Sequence, residues 1–292
     1  MRGVILDSDS FDRGDLDTAA LDACLDHWAR YRSTLPGEVL ERIDGCEVVV
    51  TNKVVIDAAA MATPALQLIV VAATGTNNID LTAAANERIT VCNVRDYASA
   101  AVSQHVFSLI LALVTRLGDY TQAVRQGYWQ ESKVFCMLDY PIRELAGQTL
   151  GIIGLGNLGR RVVRIAEGFQ MQVLICARPG SQEVPDGRVP LDTLLEKSDV
   201  ISLHCPLSDA TKNLIGKAQL QQMKSDAILI NTARGGIVNE NDLAAALRQG
   251  EIGGAGIDVL TEEPPDASHP LLAPDIPNLL VSPHNAWGSI QS

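Results

Sequence analysis

Three residues in the second half of the chain have types and placements that could move a proton beside a carbonyl. Arg234 lies in Asn231-Thr232-Ala233-Arg234-Gly235-Gly236, next to two glycines and open to an approaching anion. A guanidinium there suits a bidentate grip on a carboxylate. His284 follows Val281-Ser282-Pro283 and carries the side chain whose ordinary titration lies nearest neutrality, as a general acid requires. Glu263 comes after Asp258, inside Glu262-Glu263-Pro264-Pro265. Hydrogen-bonded to His284, it would favour the imidazolium and hold the donor proton toward a carbonyl oxygen. Most lone histidines and surface carboxylates do nothing of the kind, and His27, His269 and Glu262 are read as structural or solvated.

A second constellation could hold the partner in such a reaction. Gly154-Leu155-Gly156-Asn157-Leu158-Gly159 follows an apolar run and opens a helical pattern. In that context GxGxxG is the dinucleotide fingerprint: a tight turn, room for a pyrophosphate, and close helix–strand packing. Backbone N–H groups at the helix start then face the phosphates. The fingerprint expects an acidic residue ~20 positions on, for the ribose hydroxyls. The run Val173–Cys176 ends instead in Ala177-Arg178. Ala177 removes the charge that would repel a 2′-phosphate and Arg178 could pair with one, which favours NADP(H) over NAD(H).

Position follows from the elements. Short apolar runs at Gly3–Leu6, Glu47–Thr51, Leu68–Ala73 and Thr90–Cys92 alternate with helical or turn segments. Parallel strands need such crossovers. Ala98 to about Arg125 reads as one long helix, with Val102, Val106, Leu109, Leu113 and Leu117 on one face, and marks the domain boundary. Beyond it, strands are expected at Leu150–Gly154, Gln172–Cys176, Val200–Cys205, Ala227–Asn231, Gly254–Val259 and Leu279–Ser282, with helices at Gly159–Phe169, Leu191–Lys197 and Glu240–Arg248. Near-continuous apolar strands are those covered on both faces. Arg178, His204, Pro206, Thr232, Arg234, Asp258, Glu263 and His284 then fall at or beyond the carboxyl ends of strands, where open parallel sheets bind ligands. The stretch from Glu262 to Asn278 holds five of the thirteen prolines and reads as a shaped edge rather than a flexible linker.

Composition sets the bounds. The 292 residues, 47% hydrophobic and 20% charged, fit a globular chain of about two domains. A net charge of −12 argues against a nucleic-acid binder, whose footprint is basic. No apolar run approaches the ~20 residues that span a bilayer. Six cysteines lack a CxxC pair and mostly sit in apolar runs, so buried free thiols and a cytoplasmic location are expected. Motifs for a P-loop, a zinc protease or a serine-hydrolase elbow are missing, and five histidines are too dispersed for a local metal cluster.

With these residues in view, the chain resembles the D-isomer-specific 2-hydroxyacid dehydrogenase family over essentially its whole length. The resemblance is carried by GLGNLG (154–159), CPLSDATKNLI (205–215), MKSDAILINTARGGIVNE (223–240), GAGIDVLTEEPP (254–265) and SPHNAW (282–287). TNKV (51–54), VAATGTNNID (71–80) and CNVRDYA (92–98) are most similar to the glycerate dehydrogenase or hydroxypyruvate reductase branch.

The resemblance implies an α/β chain of two Rossmann-like domains. Residues 1–98 would form a smaller flavodoxin-like substrate domain and 99–287 a doubly wound, parallel-sheet NAD(P)-binding domain. Residues 288–292 would begin a segment returning to the first domain. It makes Arg234 the anchor of the substrate, His284 the general acid/base and Glu263 its partner. It assigns cofactor contacts to Gly154, Gly156, Asn157, Leu158, Gly159, Ala177, Arg178, Cys205, Pro206, Thr232 and Ala233, and a nicotinamide carboxamide contact to Asp258. Thr74, Gly75 and Thr76 resemble the loop whose backbone holds the substrate carboxylate, bordered by Asn52 and Lys53. The family's substrates are small 2-oxo and 2-hydroxy acids, hydroxypyruvate or glyoxylate being favoured here, and its dimers form through the helix near 100–118. Two other readings stand beside it: a nicotinamide-binding scaffold without turnover, and another family enzyme such as a short phosphoglycerate dehydrogenase. A formate dehydrogenase would carry glutamine in place of Glu263.

Overall fold

The computed structural model describes residues 1–181 and 183–292. The chain divides into two compact units, Met1–Tyr97 and Ala98–Ser292.

In the first unit the strands are β1 (Arg2–Ile5), β2 (His27–Arg30), β3 (Val48–Thr51), β4 (Leu68–Val71) and β5 (Thr90–Asn93). They pair in parallel in the order β2-β1-β3-β4-β5. Four short helices connect them, α1 (Ala19–Asp22), α2 (Val39–Ile43), α3 (Ala58–Met61) and α4 (Leu81–Asn86). β3 is buried at all four positions, as a strand covered on both faces must be. Sequence reasoning missed β2, whose His-Trp-Ala-Arg is an edge strand with exposed ends and therefore carries no apolar run.

The second unit begins with α5 (Ser99–Val114) and α6 (Leu117–Arg125). The single helix expected across Ala98–Arg125 is broken, with a bend of 61°. Arg116 adopts a left-handed φ of 55°, and its Nε donates to Asp119 at 2.6 Å, so it ends one helix and opens the next. Val106, Leu109 and Leu113 are buried as the periodicity demands, whereas Leu117, past the break, is 60% exposed.

There follow β6 (Thr149–Ile153), α7 (Asn157–Gly168), β7 (Gln172–Ile175), α8 (Leu191–Lys197), β8 (Val200–Leu203), α9 (Lys217–Gln222), β9 (Ile228–Asn231), α10 (Glu240–Gln249), β10 (Gly254–Ile257) and β11 (Leu279–Val281). The six strands are parallel, in the order β11-β10-β9-β8-β6-β7. One core joins α5 and α7 to the sheet through Val106, Ile110, Ile152 and Val162. The other lies on the opposite face under α8, α9 and α10. Helices on both faces make this unit doubly wound. Cys46, Cys176 and Cys205 are buried, but Cys24 and Cys92 are exposed, so the expectation of mostly buried thiols holds for only half of them.

Candidate active site

Strand order in the second unit reverses between β6 and β8, the kind of crevice where such sheets bind ligands. The glycine turn leaves β6 there, and its three glycines do different things. Gly154 has φ +103°, and a Cβ on it would lie 2.5 Å from the His204 carbonyl carbon and 2.6 Å from the Cys205 nitrogen. A Cβ on Gly159 would lie 2.3 Å from the Gly154 oxygen, whereas one on Gly156 would meet nothing within 4 Å. The first glycine turns the chain, the third packs helix on strand, and the second leaves space open for a ligand. Gly156 caps α7, with Asn157 and Leu158 in its first turn, where the positive end of the helix dipole favours an anion. These residues fit a dinucleotide pyrophosphate.

At the end of β7, Ala177 is buried and Arg178 exposed. Arg188, which sequence reasoning missed, donates from Nη1 to the Cys176 carbonyl at 2.9 Å, placing a second guanidinium beside this strand end. No local motif marks it, because the contact comes from the Cys176–Val189 bridge. Burial pushes the Cys176 and Cys205 thiols up to about 11, so neither is a ready nucleophile. The Pro206 carbonyl accepts from Thr211 Oγ1 at 2.7 Å. His204, at the end of β8, shares a 2.9 Å hydrogen bond between Nε2 and Ser202 Oγ. Its Nδ1 is closed off without a partner, and burial pulls the ring down to about 4.

Beyond β9 the loop is knotted by Asn231. Its Nδ2 donates to the Arg234 carbonyl at 2.9 Å and its Oδ1 accepts from Ala233 N–H at 3.1 Å. Thr232 is buried, and Arg234 Nη1 donates to the Ala233 carbonyl at 2.6 Å. Gly235 must be glycine: a Cβ would lie 1.9 Å from the Leu260 oxygen. The segment carrying Arg234 is thereby pressed against the segment that leads to Glu263.

Glu263 and His284 meet as the sequence reading expects. Glu263 Oε2 lies 2.5 Å from His284 Nδ1, and Oε1 accepts from Leu260 N–H at 2.8 Å. A carboxylate on Nδ1 fixes that nitrogen as a donor and leaves Nε2 to exchange a proton. His284 itself has a left-handed φ of 50°, uncommon for a side chain with a Cβ. Its N–H donates to the carbonyls of Asp258 (2.9 Å) and Ser282 (3.0 Å), and its carbonyl accepts from Trp287 Nε1 at 2.9 Å.

Asp258, for which the resemblance implies a nicotinamide contact, is 2% exposed. Its Oδ1 accepts from Asn285 N–H at 3.1 Å and from Ser282 Oγ at 2.6 Å, and its Oδ2 accepts from Ala286 N–H at 3.1 Å. Ser282 Oγ spends its proton on Asp258, so His105 Nε2, 2.9 Å away on α5, is the donor to it. His105 was not foreseen, since nothing local in a helix reports a partner 177 residues away.

Asn52, Lys53, Thr74, Gly75 and Thr76 belong to the first unit, at the carboxyl edge of its sheet. Asn52 and Lys53 leave β3 and are ordered by Asp7, beyond β1, whose carboxylate accepts from Asn52 N–H at 2.9 Å and Lys53 N–H at 2.7 Å. Asn52 Nδ2 donates to Ser10 Oγ at 3.1 Å. Asp7 is buried, and an acidic residue ending the first apolar run is the signal that could have found it. Thr74 Oγ1 donates to the Val94 carbonyl at 2.9 Å, and Asn93 Nδ2 to the Thr74 carbonyl at 2.7 Å. The Thr76 carbonyl accepts from Ile79 N–H at 3.0 Å. The glycine turn, Arg234, Asp258, Glu263 and His284 share one sheet edge of the second unit.

Residues 107–286 match the family described as D-isomer specific 2-hydroxyacid dehydrogenase, NAD binding domain. A glycerate dehydrogenase of Methylorubrum extorquens is 48% identical over 95% of this chain and 88% of its own length. A hydroxypyruvate reductase of Blautia hydrogenotrophica is 35% identical over 100% and 92%. Among solved structures, an acyclic imino acid reductase in complex with NADPH and D-arginine superimposes with a TM-score of 0.87 at 26% identity, covering 100% of this chain and 92% of that one. With more than half of its length matched to that family and such relatives along nearly all of it, the chain belongs to the D-isomer-specific 2-hydroxyacid dehydrogenases, oxidoreductases that work with a nicotinamide cofactor.

Proposed function

We infer that the chain reduces a small 2-oxo acid, hydroxypyruvate or glyoxylate, to the D-2-hydroxy acid, with NADP(H) preferred over NAD(H). The observation that carries this reading is the His284–Glu263 pair, 2.5 Å apart, on the sheet edge that also bears Arg234 and the glycine turn. The names of the glycerate dehydrogenase and hydroxypyruvate reductase relatives support the substrate class.

In this reading Gly154, Gly156, Asn157, Leu158 and Gly159 receive the pyrophosphate, and backbone at Cys205–Pro206 and Thr232–Ala233 lines the nucleotide. The cofactor supplies the hydride when bound. Arg234 grips the substrate carboxylate and offsets negative charge as the carbonyl oxygen becomes an alkoxide. His284 gives that oxygen its Nε2 proton while Glu263 holds Nδ1. Asp258 serves from behind, fixing the backbone around His284. For the first unit, the resemblance supports a role in holding substrate for backbone at Thr74, Gly75 and Thr76, with Asn52 and Lys53 bordering that loop. Ala177, Arg178 and now Arg188 support a site for a 2′-phosphate. A homodimer through the region near 100–118 belongs to the same reading. The buried stripe of α5 is already used within its own unit, and Leu117, 60% exposed at the start of α6, supplies apolar surface in that region. A cytoplasmic location fits the six free thiols.

The test is absorbance at 340 nm with hydroxypyruvate, glyoxylate and pyruvate, each with NADPH and NADH. Fastest oxidation with hydroxypyruvate or glyoxylate is expected, and His284→Ala should lower kcat by about 10²–10⁴-fold with little change in cofactor affinity. Cofactor binding without turnover of any 2-oxo acid would replace this reading with the scaffold.

A further inference from the structure

A second glutamate–histidine pair sits behind the site. Glu240, the first residue of α10, accepts through Oε1 from Thr261 N–H at 2.7 Å and from Thr261 Oγ1 at 2.9 Å. Its Oε2 lies 3.0 Å from His269 Nε2. Both side chains are largely buried, 14% and 9% exposed. His269 Nδ1 accepts from Leu271 N–H at 3.3 Å, so Nε2 is the nitrogen that donates to Glu240. Every side-chain polar atom of the pair thus has a partner, and both hydrogen bonds to Glu240 Oε1 come from Thr261.

The Leu260–Thr261 segment connects Glu240 to Glu263. Thr261 precedes Glu263 by two positions, and its neighbour Leu260 donates N–H to Glu263 Oε1 at 2.8 Å. From the other side Gly235, next to Arg234, closes on the Leu260 oxygen and the Thr261 nitrogen, where a Cβ would sit 1.9 Å and 2.5 Å away. Leu260–Thr261 is therefore gripped between the Arg234 segment and Glu240, and from it Glu263 reaches His284. A shift of this peptide would move the Glu263 carboxylate, and misplacement of about 1 Å at a catalytic group costs about 10²-fold in rate.

We propose that Glu240, itself held by His269, is a positioning residue for catalysis: it fixes Leu260–Thr261 and so sets the Glu263–His284 pair. His269 and Glu240 are then parts of the catalytic support rather than a fold-stabilising pair alone. This rests on the roles of Glu263 and His284 given above.

A double-mutant cycle on the full chain reads the coupling. Glu240→Ala should lower kcat in reduction by about 10–100-fold, with the NADPH dissociation constant within about twofold of the parent and the native fold retained by circular dichroism. Glu240→Gln, which keeps an oxygen for Thr261, should restore most of that rate, and His269→Ala should give a smaller loss. In a Glu263→Gln background, Glu240→Ala should add little. A full additive loss in that background, or unchanged kcat in the folded Glu240→Ala protein, would overturn the proposal. If Glu240→Ala does not fold, Thr261→Val, which removes the Oγ1 donor to Glu240, carries the same cycle, with the same non-additivity expected and additivity overturning it. If Glu263→Gln alone leaves kcat unchanged, the underlying reading fails instead, so the two failures are distinguishable.

Discussion

Asp258 holds the main chain on both sides of the point where His284 turns into its left-handed conformation. Its carbonyl accepts from His284 N–H at 2.9 Å, and its carboxylate accepts from Asn285 and Ala286 at 3.1 Å each. A histidine at φ 50° persists only where the surroundings over-determine it, and this buried carboxylate is the chief constraint.

Asp258→Asn replaces one acceptor by a donor facing a backbone N–H. A buried donor left without an acceptor costs about 1–3 kcal/mol, and the His284 ring loses its fixed aim. Urea denaturation should show a loss of that size, and initial-rate assays a kcat lowered by at least tenfold with the NADPH dissociation constant nearly unchanged. A variant as active as the parent would remove Asp258 from the positioning of His284.

Ser282→Ala breaks the link from His105 to Asp258, leaving a buried oxygen with one donor fewer and His105 Nε2 without its acceptor. The expected cost is about 1–2 kcal/mol by chemical denaturation. His105→Phe should cost a similar amount. Because both act on one chain of contacts, the double variant should cost less than the sum of the two.

His204 makes stability depend on acidity. Burial pulls this ring from 6.5 to about 4, so between those values the unfolded chain binds a proton that the folded chain does not. Its contribution is complete above about pH 6.5 and is lost as pH falls toward 4, amounting to about 2 kcal/mol by about pH 5. Denaturation of the parent and of His204→Gln at pH 7 and pH 5 isolates it. The drop between the two conditions should be smaller in the variant by about that amount, and equal drops would contradict the assignment.

Nucleotide preference tests the end of β7. Ala177→Asp puts a carboxylate where the ribose hydroxyls of NAD(H) would accept one and where a 2′-phosphate would be repelled. The ratio of kcat/KM for NADPH to that for NADH should fall by at least tenfold. Arg178→Gln and Arg188→Gln should each lower it less, through weaker binding of NADPH alone. A ratio indifferent to all three would place the selectivity elsewhere.

Much of this site could be read from the sequence by itself. The glycine turn is legible because its requirements are local: a left-handed φ at Gly154 and backbone approach at Gly159 forbid a side chain at fixed spacing after a strand. Arg234, Glu263 and His284 are legible because continuous apolar runs locate the strand ends, and a parallel sheet gathers those ends on one edge. What the sequence concealed was decided by contacts between distant segments. β2 gains its place by pairing with β1 rather than by any apolar pattern of its own, and helix periodicity gave no hint of the left-handed break at Arg116. The work of Asp258, and the partners His105, Arg188 and Asp7, come from hydrogen bonds across the fold. So does the Glu240–His269 pair, one member of which reads as an ordinary structural histidine. A side chain's type limits what it can donate or accept, and only the tertiary structure decides which group stands opposite it at bonding distance.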